Sequence, residues 1–357
     1  MINRDMLYLI LYALAARNGR EAALFGDCAS LAHEAFTRSL AGEAFPTLWF
    51  ELPLMGEPWF DLHVLASRDD LSADMRFLAC ETGGQSELFA WFVQEKHAAV
   101  VKQLALSYDV SRGDIDRPAV QLLVRAKDTD VVCEFLEVAD RPDLAPAYRD
   151  FASRIPQDWF ACYTGVFPGR PEMGLRVECI PHPSRYLAYA QDVSLLAADL
   201  RAAGLQDPSN RLLEYCTRLA PWRLEFQFDL DEHGVVGPTF GTSVHCDSLV
   251  GPKNARLYDP NGAAGAIFGM VENWGLADDR WHLLDDLAFA KNVSHEGDTR
   301  CLYCCPSMIK LRWRDGMPVD AKLYIEAGVR TPIRNTLDDG AVSSGIAADA
   351  TSPEEHT

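Results

Sequence analysis

The chain has 357 residues, 48% of them apolar and 24% charged, which is ample material for a sizeable core. Its formal net charge of −19 excludes a surface built to neutralise nucleic-acid phosphates or to dock on anionic lipid. An anionic ligand would have to be met by a few cations focused in a pocket.

Residues 6–16 and 20–40 read as two helices broken near Asn18-Gly19. Leu7, Ile10, Leu11 and Leu14 recur at the spacing of an amphipathic helix, and the only cation on the N-terminal side, Arg4, is followed by Asp5. That pattern argues for a core helix over an export signal. No run reaches the ~18–20 apolar residues of a membrane span. With ten cysteines, several of them inside apolar runs, the chain reads as a reduced, cytoplasmic protein without membrane or nucleic-acid partners.

Residues 45–54 form a strand or an extended connection. From there the chain repeats two strands followed by helix. The first pair covers 59–67 and 75–81, turned at Arg68-Asp69-Asp70, with a helix over 86–106. The second pair covers 120–126 and 131–138, joined through Lys127-Asp128-Thr129-Asp130, with a helix over 144–154 ending at Pro156. The third covers 160–167 and 175–180, across Pro168-Gly169-Arg170-Pro171. Helices over 187–203 and 208–219 follow, the second with Asp207 as N-cap before proline. The fourth pair covers 222–230 and 238–246, then helices over 263–274 and 278–290. The fifth covers 308–314 and 321–327, turned at Asp315-Gly316-Met317-Pro318. Residues 1–334 are expected to form a single domain and 335–357, rich in Ser, Ala, Gly and acid, a disordered tail.

Within these strands the two faces differ. Leu224, Phe226, Phe228 and Leu230 alternate with Arg223, Glu225, Gln227 and Asp229, and Leu311 and Trp313 with Lys310, Arg312 and Arg314. The apolar faces need the helices, which leaves the charged faces exposed or enclosing water. Five hairpins make about ten antiparallel strands, and closing them removes the edges of so wide a sheet. The expected fold is therefore α+β, a closed antiparallel β-barrel ringed by helices with charged side chains inside. The alternative is an open antiparallel sheet with helices on one face.

Two local stretches are distinctive. Gly56-Glu57-Pro58-Trp59-Phe60-Asp61 is followed by Arg76-Phe77-Leu78-Ala79-Cys80-Glu81, and the last hairpin carries Lys322-Leu323-Tyr324. In these stretches, and in element order over about 50–330, the chain resembles the ABBA prenyltransferases. Their indole-type members place a carboxylate after a Gly-x-Pro turn, then Arg-Phe-x-x-Glu, and carry Lys-x-Tyr on later strands. Here the carboxylate is Asp and is displaced by one position. The middle hairpins offer Cys133-Glu134-Phe135 and Arg176-Val177-Glu178 in place of the basic motif.

The resemblance implies transfer of an isoprenoid from an allylic diphosphate to an aromatic or peptide acceptor. It implies no fixed cofactor, although Mg2+ is compatible with the diphosphate. Cations with inward parity that would hold the diphosphate are Arg76, Arg125, Arg176, Arg223, Lys310, Arg312 and Lys322. Tyr163, Tyr324 and Trp59 would shield the carbocation. Asp61, with Glu225 as alternate, would take the proton lost by the acceptor. Together these residues would make a basic cavity inside an acidic protein. Strand cations paired with neighbouring acids, as in Arg223/Glu225 and Lys322/Glu326, are the structural alternative for each. Two further readings stay open. One is a non-catalytic binding or chaperone partner in a peptide or natural-product pathway. The other is a zinc site at Cys301, Cys304 and Cys305 with His245 and Cys246. No Walker loop, G-x-S-x-G elbow or H-E-x-x-H array is present.

Overall fold

A computed structural model describes residues 47–68, 86–112, 114–170, 173–219, 224–245, 263–279, 289–295 and 298–330. The helices expected over 6–16 and 20–40, the strand over 75–81 and the tail over 335–357 lie outside these residues. The elements are β1 (Thr47–Pro53), β2 (Asp61–Ser67), α1 (Ser86–Phe92), β3 (Val101–Asp109), β4 (Asp114–Val124), α2 (Thr129–Val138) and α3 (Ala145–Arg154). They continue with β5 (Trp159–Val166), β6 (Leu175–Pro181), α4 (Pro183–Gln191), α5 (Val193–Ala202), α6 (Asn210–Leu219) and β7 (Leu224–Leu230). The last are β8 (Val236–His245), α7 (Ala263–Asn273), β9 (Phe289–His295), β10 (Asp298–Arg314) and β11 (Met317–Arg330).

Ten of the strands close into an antiparallel barrel. Each of β1 to β7 pairs with the next, β8 pairs with β10, β10 with β11, and β11 returns to β1. β9 lies outside the ring and pairs with the first half of β10. The five hairpins are β1–β2, β3–β4, β5–β6, β7–β8 and β10–β11. The last turns on Asp315 and Gly316, with φ of 51° and 72°. Two consecutive left-handed residues are the geometry of a type I′ turn, which Asp-Gly favours.

The outer strand faces pack on the helices. Trp159 of β5 stacks on Phe226 of β7 with ring centroids 4.9 Å apart. Its indole donates to Tyr189 of α4 at 2.7 Å. Tyr189 in turn donates to Asp199 of α5 at 2.6 Å, and Arg185 holds the same carboxylate through two bonds of 2.8 and 2.9 Å. Phe151 of α3 meets Phe228, and Tyr215 of α6 meets Trp313 of β10. This buried aromatic layer is the main core, and it leaves the inner faces to polar residues.

Two of the expected hairpins are composed differently. Residues 131–138 are helical, because Val131, Val132, Phe135 and Leu136 share one buried face. Asp128 is the N-cap, accepting the backbone N–H of Asp130 and Val131 at 3.1 and 3.0 Å. The helix expected over 86–106 ends at Phe92, and β3 supplies the partner of β4. In β3 Leu104, Leu106 and Tyr108 are buried under the helices while Gln103, Ser107 and Asp109 point the other way. Likewise β2 pairs with β1 on one side and β3 on the other, and the stretch expected as a strand or an extended connection over 45–54 supplies barrel strand β1. Residues 289–290, expected at the end of a helix, open β9.

Candidate active site

The barrel interior divides into two connected chambers that share Trp49, Tyr163, Glu178 and Met308. The narrow chamber has about 80 Å³ of free space and the wide one about 430 Å³. The first has room for a few waters beside its side chains, whereas the second is in the size range of a small-molecule pocket.

Strand parity fills the narrow chamber. β1 contributes Trp49 and Glu51, β2 Asp61 and His63, and β3 Ser107 and Asp109. β6 adds Arg176 and Glu178, β10 Lys310 and Arg312, and β11 Asp320, Lys322 and Tyr324. Room for these long side chains is kept partly by Gly241 of β8, which lies in register with both Gln227 and Arg312. A Cβ there would come within 2.9 Å of Gln227 Cβ. Gln227 is itself only 2% exposed, and its Oε1 has no hydrogen-bond partner among the described residues.

Among the described residues the lining is not basic. Arg170, Arg176, Lys310, Arg312 and Lys322 face Glu51, Asp61, Asp109, Glu178 and Asp320, so five cations meet five carboxylates. The expectation of a basic cavity is corrected by register, which sets opposite charges side by side. Arg176 Nε donates to Asp229 at 2.7 Å and its Nη2 to the second oxygen at 3.2 Å. Arg170 makes the same two-pronged contact with Asp109. Lys310 Nζ stands 3.4 Å from Glu178, and Lys322 donates to Glu51. Burial by itself would raise the Asp229 carboxyl, but the Arg176 charge and hydrogen bonds outweigh it and hold it below the usual range.

Glu51 is the hub of a second network. Lys322 binds one of its oxygens, while Tyr324 Oη and His63 Nε2, the latter at 3.3 Å, bind the other. Burial would raise this carboxyl too, yet the Lys322 charge, followed by His63 and Lys310, holds it well below the ordinary range. On the far side of the imidazole, His63 Nδ1 lies 2.6 Å from Ser107 Oγ, which accepts Gln121 Nε2 at 3.0 Å.

Two cations are incompletely matched. Burial depresses Lys310 despite Glu178, and the neighbouring Arg176 and Lys322 push in the same direction. Arg312, two residues along the same strand face, has a buried Nε without a hydrogen-bond partner among the described residues. Ring faces in and beside the chamber already take cationic groups. Lys310 Nζ lies 5.6 Å from the Tyr324 ring centroid, Lys322 Nζ 5.0 Å from that of Trp59, and the Arg176 guanidinium 4.7 Å from that of Phe167.

The wide chamber is lined by Leu123, Phe160, Ile180, Pro306 and Met308 together with Glu225, His245 and Glu326. Glu225 is 3% exposed and bonded to His245 at 2.8 Å. Trp49 Nε1 and Tyr303 Oη donate to Glu326 at 3.2 and 2.9 Å, and burial raises the Tyr303 hydroxyl.

Of the residues singled out from sequence, Asp61, Tyr163, Arg176, Lys310, Arg312, Lys322 and Tyr324 converge on the narrow chamber. Arg125 and Glu225 line the wide one, Arg125 as an exposed side chain just past the end of β4. Arg76, Arg223 and Cys246 lie outside the described residues. Sequence reasoning missed Trp49, Glu51, His63, Ser107 and Gln121. The signal for the first two was present in the alternation of Leu48, Phe50 and Leu52 with Trp49 and Glu51.

Among the described residues no three His, Cys, Asp or Glu side chains group so as to hold a metal ion. Cys301 and Cys304 are buried within β10, so the zinc reading has no assembled ligand set there. Mg2+ likewise finds no prepared ligand group among these residues. No helix among them is long and apolar enough to cross a membrane. No family model and no curated protein matches the chain.

Proposed function

We propose that this barrel transfers an isoprenoid from an allylic diphosphate to an aromatic or peptide acceptor, as its resemblance to the ABBA prenyltransferases implies. The observation that carries the reading is the positive charge on the inner face of β10. Lys310 is buried without full compensation, and the Arg312 Nε has no acceptor among the described residues. A diphosphate supplies both missing interactions, and Arg176 and Lys322 stand in the same chamber to add charge. Departure of the diphosphate leaves an allylic cation, for which the Tyr163 ring lining the same chamber offers a face. The wide chamber, apolar on one side and carboxylate-lined on the other, has space for the acceptor. Glu225, backed by His245, would take the proton of an acceptor seated there, and Asp61 that of one seated deeper.

A second reading is favoured by the ion pairs themselves. Arg170, Arg176, Lys310 and Lys322 are already engaged by carboxylates, which suits a barrel that binds a ligand without reacting it. One experiment separates the two. Dimethylallyl thiodiphosphate should raise the melting temperature, and dimethylallyl diphosphate with an aromatic or peptide acceptor should give a product heavier by one prenyl group. Arg312→Ala should weaken thiodiphosphate binding by roughly ten- to a hundredfold, since one charge-assisted hydrogen bond contributes about 1.5–3 kcal/mol. No stabilisation by any isoprenoid diphosphate would sink the transferase reading.

A further inference from the structure

The Glu51–His63–Ser107 array has no place in prenyl transfer, yet its atoms are arranged as a hydroxyl, an imidazole and a carboxylate in sequence. Three strands supply them. His63 lies in register with Ser107 of β3, and its ring reaches Glu51 of β1 on the other side. Proton positions follow from the partners. Glu51 is an ionised acceptor, so the imidazole donates through Nε2 at 3.3 Å, and Nδ1 carries the lone pair. Ser107 Oγ, 2.6 Å away, therefore donates its proton to Nδ1. Gln121 Nε2, at 3.0 Å, occupies one Oγ lone pair and so orients the hydroxyl in that sense. The second lone pair is left for bond formation, and Ser107 lines the chamber.

We propose that Ser107 is an activated nucleophile toward small carboxylic esters, with His63 as its general base. The order of groups is that of hydrolytic triads, with the two imidazole nitrogens exchanged in role. In the acylation step Oγ bonds to the ester carbonyl carbon and its proton passes to His63 Nδ1. The carbon–oxygen bond to the leaving group then breaks, and that oxygen takes the proton from Nδ1. Water attacks the acyl-Ser107 ester through the same base, releasing the carboxylic acid and restoring the hydroxyl. Glu51 stays ionised throughout and acts as a positioning residue, fixing the tautomer and balancing the imidazolium. The second Nε2 hydrogen of Gln121 is available to the carbonyl oxygen as negative charge develops on it.

The test uses the full chain and no isoprenoid. A fluorophosphonate reports an activated serine whatever its natural substrate. Native protein should acquire one adduct, mapped by peptide mass spectrometry to Ser107, and urea-unfolded protein should acquire none. His63→Gln should label at least tenfold more slowly, and Ser107→Ala should also lose p-nitrophenyl acetate hydrolysis. Labelling elsewhere, equal labelling of unfolded chain, or an unchanged rate in His63→Gln overturns the proposal. The native-against-unfolded comparison decides without any variant, should Ser107→Ala not fold.

Discussion

Glu51 shows how much one inward position can organise. It is tied to Lys322, Tyr324 and His63, and the charge of Lys322 is what keeps it ionised at a depth where burial alone would favour the neutral acid. Its folded pKa lies below the unfolded value, so its contribution to stability is present above about pH 4.3 and is lost as pH falls through the folded value. Glu51→Gln leaves the Lys322 ammonium buried without its carboxylate, and removing one partner of a buried pair costs about 3–5 kcal/mol. Urea unfolding at pH 7 should show a loss of about 3 kcal/mol in the variant. The gap between variant and wild type should narrow as pH is lowered below about 4.3. An equal gap at pH 7 and pH 3 would show that Glu51 is not held as an ion in the fold.

At the next level, helix α2 and strand β3 show what local pattern can and cannot settle. Val131 and Val132 are β-branched and follow a turn-like Lys-Asp-Thr-Asp run, which reads as the second arm of a hairpin. The same Asp128 that suggests a turn caps a helix instead, because burial of Phe135 and Leu136 outweighs strand propensity. Replacing this cap by alanine, Asp128→Ala, should lower stability by about 1 kcal/mol, measured by chemical denaturation. An unchanged midpoint would mean that packing alone holds the helix start. In β3 the run Leu104-Ala105-Leu106 is rich in helix formers, and only the neighbouring strands β2 and β4 make it extended. The third, fourth and fifth hairpins were legible because strict alternation and Gly- or Asp-containing turns agree there.

The whole barrel adds a property that no hairpin has. Strand β11 pairs with β10 on one side and β1 on the other, so the ends of the chain's strand order close the ring. Among the described residues β9 has a strand partner on one side only, β10. In hydrogen exchange the amides of β9 should therefore open well before those of β1 and β11, whose release requires breaking the ring. Matching protection in β9 and β11 would count against closure as the source of cooperativity.

The amino-acid sequence alone determined that strands come in antiparallel pairs with one apolar and one charged face, since alternation is a local property of each strand. It also marked Arg176, Lys310, Arg312, Lys322 and Tyr324 as cavity residues by parity. Only the tertiary structure decided which charges meet, because pairing depends on register between strands as distant as β1 and β11. That register turned an expected basic pocket into a charge-balanced one. It also brought Glu51, His63 and Ser107 into line from three strands, an arrangement that no spacing along the chain encodes.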